Sequence, residues 1–226
     1  MTQRTRDAYQ RWAPTYDSDP NPQTALEVDD VLSALALAAG ARILDAGYGT
    51  GRYFSALWPM ATVVGCDFAR AMLTRAHAKF PTVPLVLADL SIGLPFRGAS
   101  FTHVLCAQTL KHCRALSTPV QECFRVLCPG GVFVFSVTHP DMDFTDYELC
   151  ATPGFILSRE ADIFHHTRED YWRALHTAGF RSVTVRDVVV CDKIAHFLTP
   201  TSYRRVRGRP QVAVFRAEKP PKHGLL

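Results

Sequence analysis

The chain has no apolar run long enough to cross a bilayer. The longest uncharged one, Val31 to Ala41, is about half the roughly 20 residues that a spanning helix needs. No apolar segment follows Met1-Thr2-Gln3-Arg4, so no secretory signal is expected. There is no Cys-x-x-Cys pair. The seven cysteines, an odd number, read as small buried hydrophobes in a reducing compartment, which argues against a disulfide framework and against a zinc site; no metal is expected. Repeats and low-complexity tracts are missing too. Charge is nearly balanced, with Lys and Arg 25 against Asp and Glu 21 and a net charge of +4. The one dense basic cluster, Arg204, Arg205, Arg207 and Arg209 beside Tyr203 and Gly208, lacks the interleaved aromatics of a nucleic-acid groove. It reads either as a solvated loop or as a contact for an acidic substrate or a carrier protein. These absences leave a cytoplasmic protein with neither membrane nor nucleic-acid partners, a monomer or a homodimer.

What remains suits a globular enzyme. At 226 residues, 47% hydrophobic and 11% aromatic, the chain fits one α/β domain with a good core. Its most informative stretch is Arg42-Ile43-Leu44-Asp45-Ala46-Gly47-Tyr48-Gly49-Thr50-Gly51. A short apolar strand ends in an aspartate and enters a turn with glycine at alternate positions, where positive φ and close approach of a ligand are allowed. A helix over about 51–57 would aim its free N–H groups at whatever occupies the turn. Glycine turns also serve as plain strand-to-helix connections, so spacing decides which ligand is meant. A dinucleotide fingerprint needs a third glycine at its sixth position; here that position is Arg52, and the extra glycine is Gly51 one place earlier. Asp-x-Gly-x-Gly-x-Gly instead resembles motif I of the class I S-adenosylmethionine-dependent methyltransferases.

Periodicity predicts an amphipathic helix over 4–16 with Tyr9, Trp12, Ala13 and Tyr16 on one face and a break at Pro14. A second helix should start at Asn21-Pro22 and run to Gly40. Strand-like runs follow at 43–45, 61–66, 83–88, 101–106 and 132–138, alternating with helices near 51–57, 69–80 and 118–127, the last with a capping box at Thr118-Pro119-Val120-Gln121. Such alternation implies a parallel sheet covered on both faces. After Thr138 come a loop-rich stretch, a helix from about Arg168 to Ala178 capped by Gly179, and two β runs, 182–191 and 211–217. With no helix apparent between them, these two should pair antiparallel. The expected fold is a doubly wound, mostly parallel, seven-stranded Rossmann-like sheet with a C-terminal antiparallel pair and an N-terminal helical cap. It forms one domain, 1–226: cap 1–40, cofactor-binding core 41–138, acceptor-covering insertion 139–166, C-terminal helix and strand pair 167–217, and a frayed tail 218–226.

Three strands end in acids, Asp45, Asp67 and Asp89, at two intervals of 22 residues, one strand–helix unit each. In an open parallel sheet they would meet at the carboxyl ends of the strands, where ligands bind. Asp67 can accept both hydroxyls of a ribose, Asp89 can reach the exocyclic amine of adenine, and Asp45 would orient the turn near the cofactor's ammonium. Aspartates also cap helices, but three in register with a glycine turn favour a site. Leu94-Pro95-Phe96, Ala99-Ser100-Phe101-Thr102-His103-Val104 and Phe124-Arg125-Val126-Leu127-Cys128-Pro129-Gly130-Gly131 resemble the same family. Ala8-Tyr9, Trp12-Ala13 and Tyr16-Asp17 are similar to the cap of its branch with the ubiquinone-biosynthesis and malonyl-carrier methyltransferases. The resemblance implies S-adenosyl-L-methionine as cofactor, held by Tyr16, Asp45, Gly47, Gly49, Gly51, Asp67, Phe68, Met72, Asp89, Leu90 and Ala107. Two residues depart from it: Tyr48, where a small residue is common, and Thr102, where aspartate is usual. The Tyr48 ring is expected either on the cofactor or closing the crevice.

Methyl transfer is an in-line displacement that rests on alignment, with a base needed only when the acceptor must lose a proton. Base candidates are His139, directly after the fifth strand and near Asp141 and Asp143, and His165 and His166. His112 resembles a family histidine with a structural role. Phe144, Tyr147 and Phe155 would wall the acceptor, and residues 1–20 would form a lid. The reading is methyl transfer to a small organic acceptor, on oxygen before nitrogen or carbon. The lack of an Asn-Pro-Pro-Tyr-like motif disfavours base or glutamine-amide methylation. Rival readings are a carrier-protein-bound acyl acceptor, a cyclase that uses the cofactor without methyl transfer, and a non-catalytic partner subunit.

Overall fold

Seven strands form one sheet in the order β3-β2-β1-β4-β5-β7-β6: β1 (Ala41–Ala46), β2 (Ala61–Asp67), β3 (Leu85–Leu87), β4 (Phe101–Ala107), β5 (Leu127–Thr138), β6 (Arg181–Val189) and β7 (Pro210–Glu218). This is a computed structural model describing residues 1–19, 21–142 and 160–222. The first five strands are parallel, and β7 runs antiparallel to both β5 and β6. The strand order reverses between β1 and β4, and a doubly wound sheet holds its ligand at such a switch point. The central parallel strands β1, β4 and β5 are buried on both faces, as their near-continuous apolar sequences require.

One face is covered by α5 (Ser117–Val126) and α6 (Arg168–Ala178), over a core with Phe133, Phe135, Phe180 and Phe215. The other is covered by α2 (Pro22–Leu35), the single-turn α3 (Phe54–Leu57) and α7 (Pro200–Val206), around Leu35, Ile43, Phe54 and Val214. α1 (Gln3–Trp12) and α4 (Arg70–Lys79) enclose a small separate cluster of Ala13, Phe68, Ala69 and Met72.

Local chemistry sets the boundaries. Asn21 caps α2 by accepting from the Thr24 N–H, with Pro22 at the first position. The helix stops at Ala36, which turns left-handed, so it is shorter than the run to Gly40 that periodicity suggests. α6 has a reciprocal capping box, Thr167 with Asp170, and ends on left-handed Gly179. The box expected at Thr118 is not formed: α5 starts at Ser117 with no side-chain cap, and Pro119 is its third residue. The helix expected over 51–57 begins only at Phe54, because Gly51 sits at φ +85° and keeps the chain in a turn. Between β6 and β7 there is helix after all, a 3₁₀ segment Asp192–Phe197 followed by α7, yet the strands still pair antiparallel. Arg204 and Arg205 therefore lie on a helix, and only Arg207 and Arg209 are in the turn after it. Among the described residues, no helix is long and apolar enough to cross a membrane.

Candidate active site

A crevice opens outside the carboxyl ends of β1, β2 and β4, lined by Met1, Tyr9, Tyr16, Gly47, Gly49, Cys66, Asp67, Phe68, Ala88, Leu90, Ala107, Gln108, Thr109 and His112. Its floor is the glycine turn, and each glycine has its own reason. A Cβ on Gly47 (φ +88°) would fall 2.1 Å from the Thr109 Oγ1, so the close approach of the β1 and β4 ends requires glycine there. Gly49 (φ +57°) would meet nothing within 4 Å; its Cα faces open space. Gly51 is packed against the rings of Phe54 and Phe80 and shapes the turn from behind instead of lining the crevice.

The acids are built in from the strand ends. Asp67 accepts from the Gly49 N–H at 3.0 Å and the Ala69 N–H at 2.8 Å, which aims the carboxylate across the turn. Burial raises its pKa to about 6 against the pull of those N–H groups. Asp45 is buried beneath the turn with Oδ2 lacking any partner; burial, only partly offset by Arg52, raises its pKa to about 7. Among the described residues neither carboxylate has an ion-pair partner, and together with the open glycine turn they fit a ligand that carries positive charge and hydroxyl donors. Asp89 sits at the edge of the crevice, in the adjoining groove with Arg6 and Arg70. It accepts from the Met1 amine at 2.8 and 2.9 Å and from the Ser91 N–H at 2.9 Å. Those donors hold its pKa below the usual carboxylate range despite burial.

Tyr16, Phe68, Leu90 and Ala107 line the crevice as the sequence suggested. Met72 does not: it is fully buried in the cluster under Phe68, one layer behind the surface a ligand could touch. Tyr48 takes neither expected role. Its ring points into the core, stacks on Phe54 with centroids 5.8 Å apart and lies against Gly65, whose missing side chain makes room for it. Gln108 and Thr109 line the crevice without having been singled out. They directly follow β4, the same place past the strand end that Gly47 occupies past β1, and that rule could have found them.

A polar network supports the crevice from α2. Glu27, fully buried, accepts from Arg52 and from the Tyr53 hydroxyl, each at 3.2 Å, and from Gln108 Nε2 at 2.6 Å. Arg52 also donates to the Tyr16 hydroxyl at 3.0 Å. His112 is clamped: Nδ1 faces the Asp162 carbonyl at 2.7 Å, so it carries the proton, and Nε2 accepts from the Tyr9 hydroxyl at 2.9 Å. Burial, reinforced by Lys111, lowers its pKa to about 3, so it stays neutral and joins α1 to the β4 end.

A second, smaller cavity adjoins the first, lined by Lys111, Thr138, His139, Pro140, Ile163, Phe164, His165, His166 and Tyr171. All three candidate histidines are thus brought to one place, but not as free bases. His139 Nδ1 accepts from the Asp141 N–H at 3.2 Å, while Nε2 lies 3.2 Å from Asp187 and 3.0 Å from Arg168. Both ring nitrogens are engaged and the ring is buried, so the geometry makes His139 an anchor between β5, α6 and β6. His166 Nε2 donates to the Cys113 carbonyl at 2.8 Å, and His165 is exposed. Asp143, Phe144, Tyr147 and Phe155 lie outside the described residues.

The comparisons with known proteins agree with this geometry. Residues 44–135 match a family described as a methyltransferase domain. The chain is 32% identical over 198 residues to the malonyl-[acyl-carrier protein] O-methyltransferase of Geobacter sulfurreducens, covering 81% of this chain and 72% of that protein. It is 30% identical over 190 residues to the O-methyltransferase cnsE of Penicillium expansum, covering 76% and 66%. Other curated relatives are spanned over only about half their length, 52% and 53%. The crystal structure of an S-adenosylmethionine-dependent methyltransferase from Mesorhizobium loti superposes with a TM-score of 0.70 at 24% identity, over 88% of this chain and 100% of that one. The chain belongs to the class I S-adenosylmethionine-dependent methyltransferases, and the residues of the crevice suit that family's cofactor.

Proposed function

We propose that the protein transfers the methyl group of S-adenosyl-L-methionine to a hydroxyl of a small organic acceptor. The observation that carries this reading is the pair of adjoining chambers at the sheet's switch point, one with the open glycine turn and buried acids, the other walled by Lys111, Thr138, Phe164 and Tyr171. When bound, the cofactor supplies a methyl carbon made electrophilic by a sulfonium. Asp67 would hold the ribose hydroxyls, Asp89 the adenine amine, and Asp45 the charge of the amino-acid end. Tyr9, Tyr16 and His112 would close the crevice from the cap side and exclude water. The second chamber would align the acceptor oxygen on the methyl carbon. Two relatives named as O-methyltransferases support oxygen over nitrogen or carbon.

A carrier-bound acyl acceptor is the second reading. The Geobacter relative's name favours it, and so does the place of the arginines. β7 begins beside the end of β5, Thr138 pairing with Val212, so Arg207 and Arg209 lie at the same edge of the sheet as the acceptor chamber. The test is incubation with S-adenosylmethionine and a panel of hydroxyl, amine and carbon acceptors, together with a malonyl acyl-carrier protein, followed by mass spectrometry. A product heavier by one methyl on oxygen, with one S-adenosylhomocysteine per product, is expected. Product isomers without S-adenosylhomocysteine would indicate a cyclase instead, and methylation of the carrier-bound acyl group alone would replace the small-molecule reading.

A further inference from the structure

The 3₁₀ segment Leu110–His112 is the partition between the two chambers. His112 faces the cofactor crevice, and its neighbour Lys111 lines the acceptor cavity. We propose that Lys111 is the proton acceptor of the transfer, its Nζ standing ready for the acceptor's hydroxyl. The inference rests on the hydroxyl reading above.

Hydrogen bonding fixes where the amine points. Nζ donates to Gln108 Oε1 at 2.9 Å and, more weakly, to Thr138 Oγ1 at 3.5 Å. A neutral lysine has two N–H bonds and one lone pair. Two acceptors use both N–H bonds and leave the lone pair as the remaining substituent of an amine that lines the cavity. The Lys111 backbone carbonyl accepts from the Phe164 N–H at 2.8 Å, which ties the cavity's roof to the partition.

Burial, and not the surrounding charges, favours the neutral form. From α2, Glu27 is the acid whose charge acts on Lys111, but Arg52 pairs with it at 3.2 Å, and Gln108 stands between it and Lys111. Among the described residues no carboxylate is within ion-pair distance of Nζ. The other titratable groups around it are His112 on its own segment, His139 at the β5 end, His165 and His166 in the roof and Tyr171 on α6. None of these supplies a negative charge at neutral pH. Burial, with help from Arg52 and against Glu27, lowers the lysine's pKa to about 8, in the range that a base working near neutrality requires. The histidines offer less, because His139 and His112 have both nitrogens engaged.

The step balances simply. As the acceptor oxygen forms its bond to the methyl carbon and the carbon–sulfur bond breaks toward sulfur, the hydroxyl proton passes to the Lys111 lone pair. The ammonium so formed gives it up to water before the next turnover.

Two readouts test the proposal on the full chain. The first needs no acceptor: competitive acetylation with acetic anhydride across a pH series, resolved by peptide mass spectrometry. Lys111 should titrate near pH 8. The second uses phenol and 4-nitrophenol as acceptor probes near pH 8, where only the nitrophenol is largely ionised. Lys111→Met should slow transfer to phenol about 10²–10⁴-fold and leave transfer to 4-nitrophenol nearly unchanged, which also reports an intact fold. Lys111→Arg should behave like the methionine variant, because a guanidinium does not give up its proton. An ordinary Lys111 pKa, equal losses on both probes, or rescue by arginine would overturn the base role alone. Failure of the unsubstituted protein to methylate either probe would overturn the hydroxyl reading, and the base role with it.

Discussion

At the scale of single residues, the glycine turn separates two duties that sequence alone cannot tell apart. Gly47 is glycine because Thr109 leaves no room, whereas Gly49 is left-handed over open space, where we propose that the cofactor lies. Gly47→Ala should therefore destabilise the fold by roughly 1–3 kcal/mol through strain and overlap. Gly49→Ala should cost about 1 kcal/mol for its left-handed backbone yet lose most cofactor affinity. Melting curves and calorimetry on the two variants check the contrast. Asp67→Ala should weaken S-adenosylmethionine binding by about 1.5–3 kcal/mol, the loss of hydrogen bonds to a charged acceptor. Its raised pKa also gives a pH dependence with a definite sign. Below about pH 6 the buried carboxyl is protonated and no longer offers a carboxylate to the ribose hydroxyls. Affinity should then fall up to about tenfold for each further pH unit, and it should level off only above about pH 8, once Asp45 too is ionised. For folding the sign is opposite. A carboxyl whose pKa is raised on folding contributes stability that is full below its unfolded value and is lost as pH rises through the folded one. Asp45→Asn should accordingly gain stability relative to the unsubstituted apo protein between about pH 4 and 8, and urea titrations at the two ends measure it.

At the scale of elements, α1 joins the crevice to the acceptor side. Beneath it, Tyr9 meets Phe68 and His112 edge-on; at its rim, Thr2 donates to Asp162 and Arg4 to the Glu160 carbonyl. Beyond it, Asp17 accepts from Thr50 in the glycine turn. These ties are mostly polar and partly exposed, the kind that open at low cost, and we propose that 1–19 acts as a lid. Amide exchange over α1 should slow markedly with S-adenosylmethionine bound and be fast without it; equal protection in both states would make α1 a fixed wall. The strands, most helices and the alternation of the core were legible because periodicity and capping are local. The helix after β1, the cap of α5 and α7 were not. The first was lost to a glycine whose φ is set by Phe54 packing behind it, and the last followed a 3₁₀ segment too short to carry a period. The polar network was hidden for another reason. Glu27 lies four residues before Val31 on the buried face of α2, where periodicity calls for an apolar residue, and only the tertiary approach of Arg52, Tyr53 and Gln108 makes a buried glutamate tolerable there.

At the scale of the whole molecule, the order β3-β2-β1-β4-β5-β7-β6 brings the cofactor turn, the partition at Leu110–His112 and the end of β5 to one edge of one sheet. The three acids at 22-residue intervals were the sequence's trace of that edge, since each marks one strand–helix unit. The proposed acceptor chamber has no such regular spacing. It is assembled from the 3₁₀ segment Leu110–His112, the end of β5, α6 and the roof segment, four stretches with no common spacing. A protein built this way binds its cofactor only when folded, so S-adenosylmethionine at about 100 times its dissociation constant should add roughly 2.7 kcal/mol to stability. The most direct test of the account is isothermal titration of the unsubstituted protein with S-adenosylmethionine and, separately, with NAD. One molecule of S-adenosylmethionine should bind per chain, Asp67→Ala should weaken it, and NAD should give no saturable heat. Tighter binding of NAD, or S-adenosylmethionine binding that Asp67→Ala leaves unchanged, would contradict the assignment of this crevice.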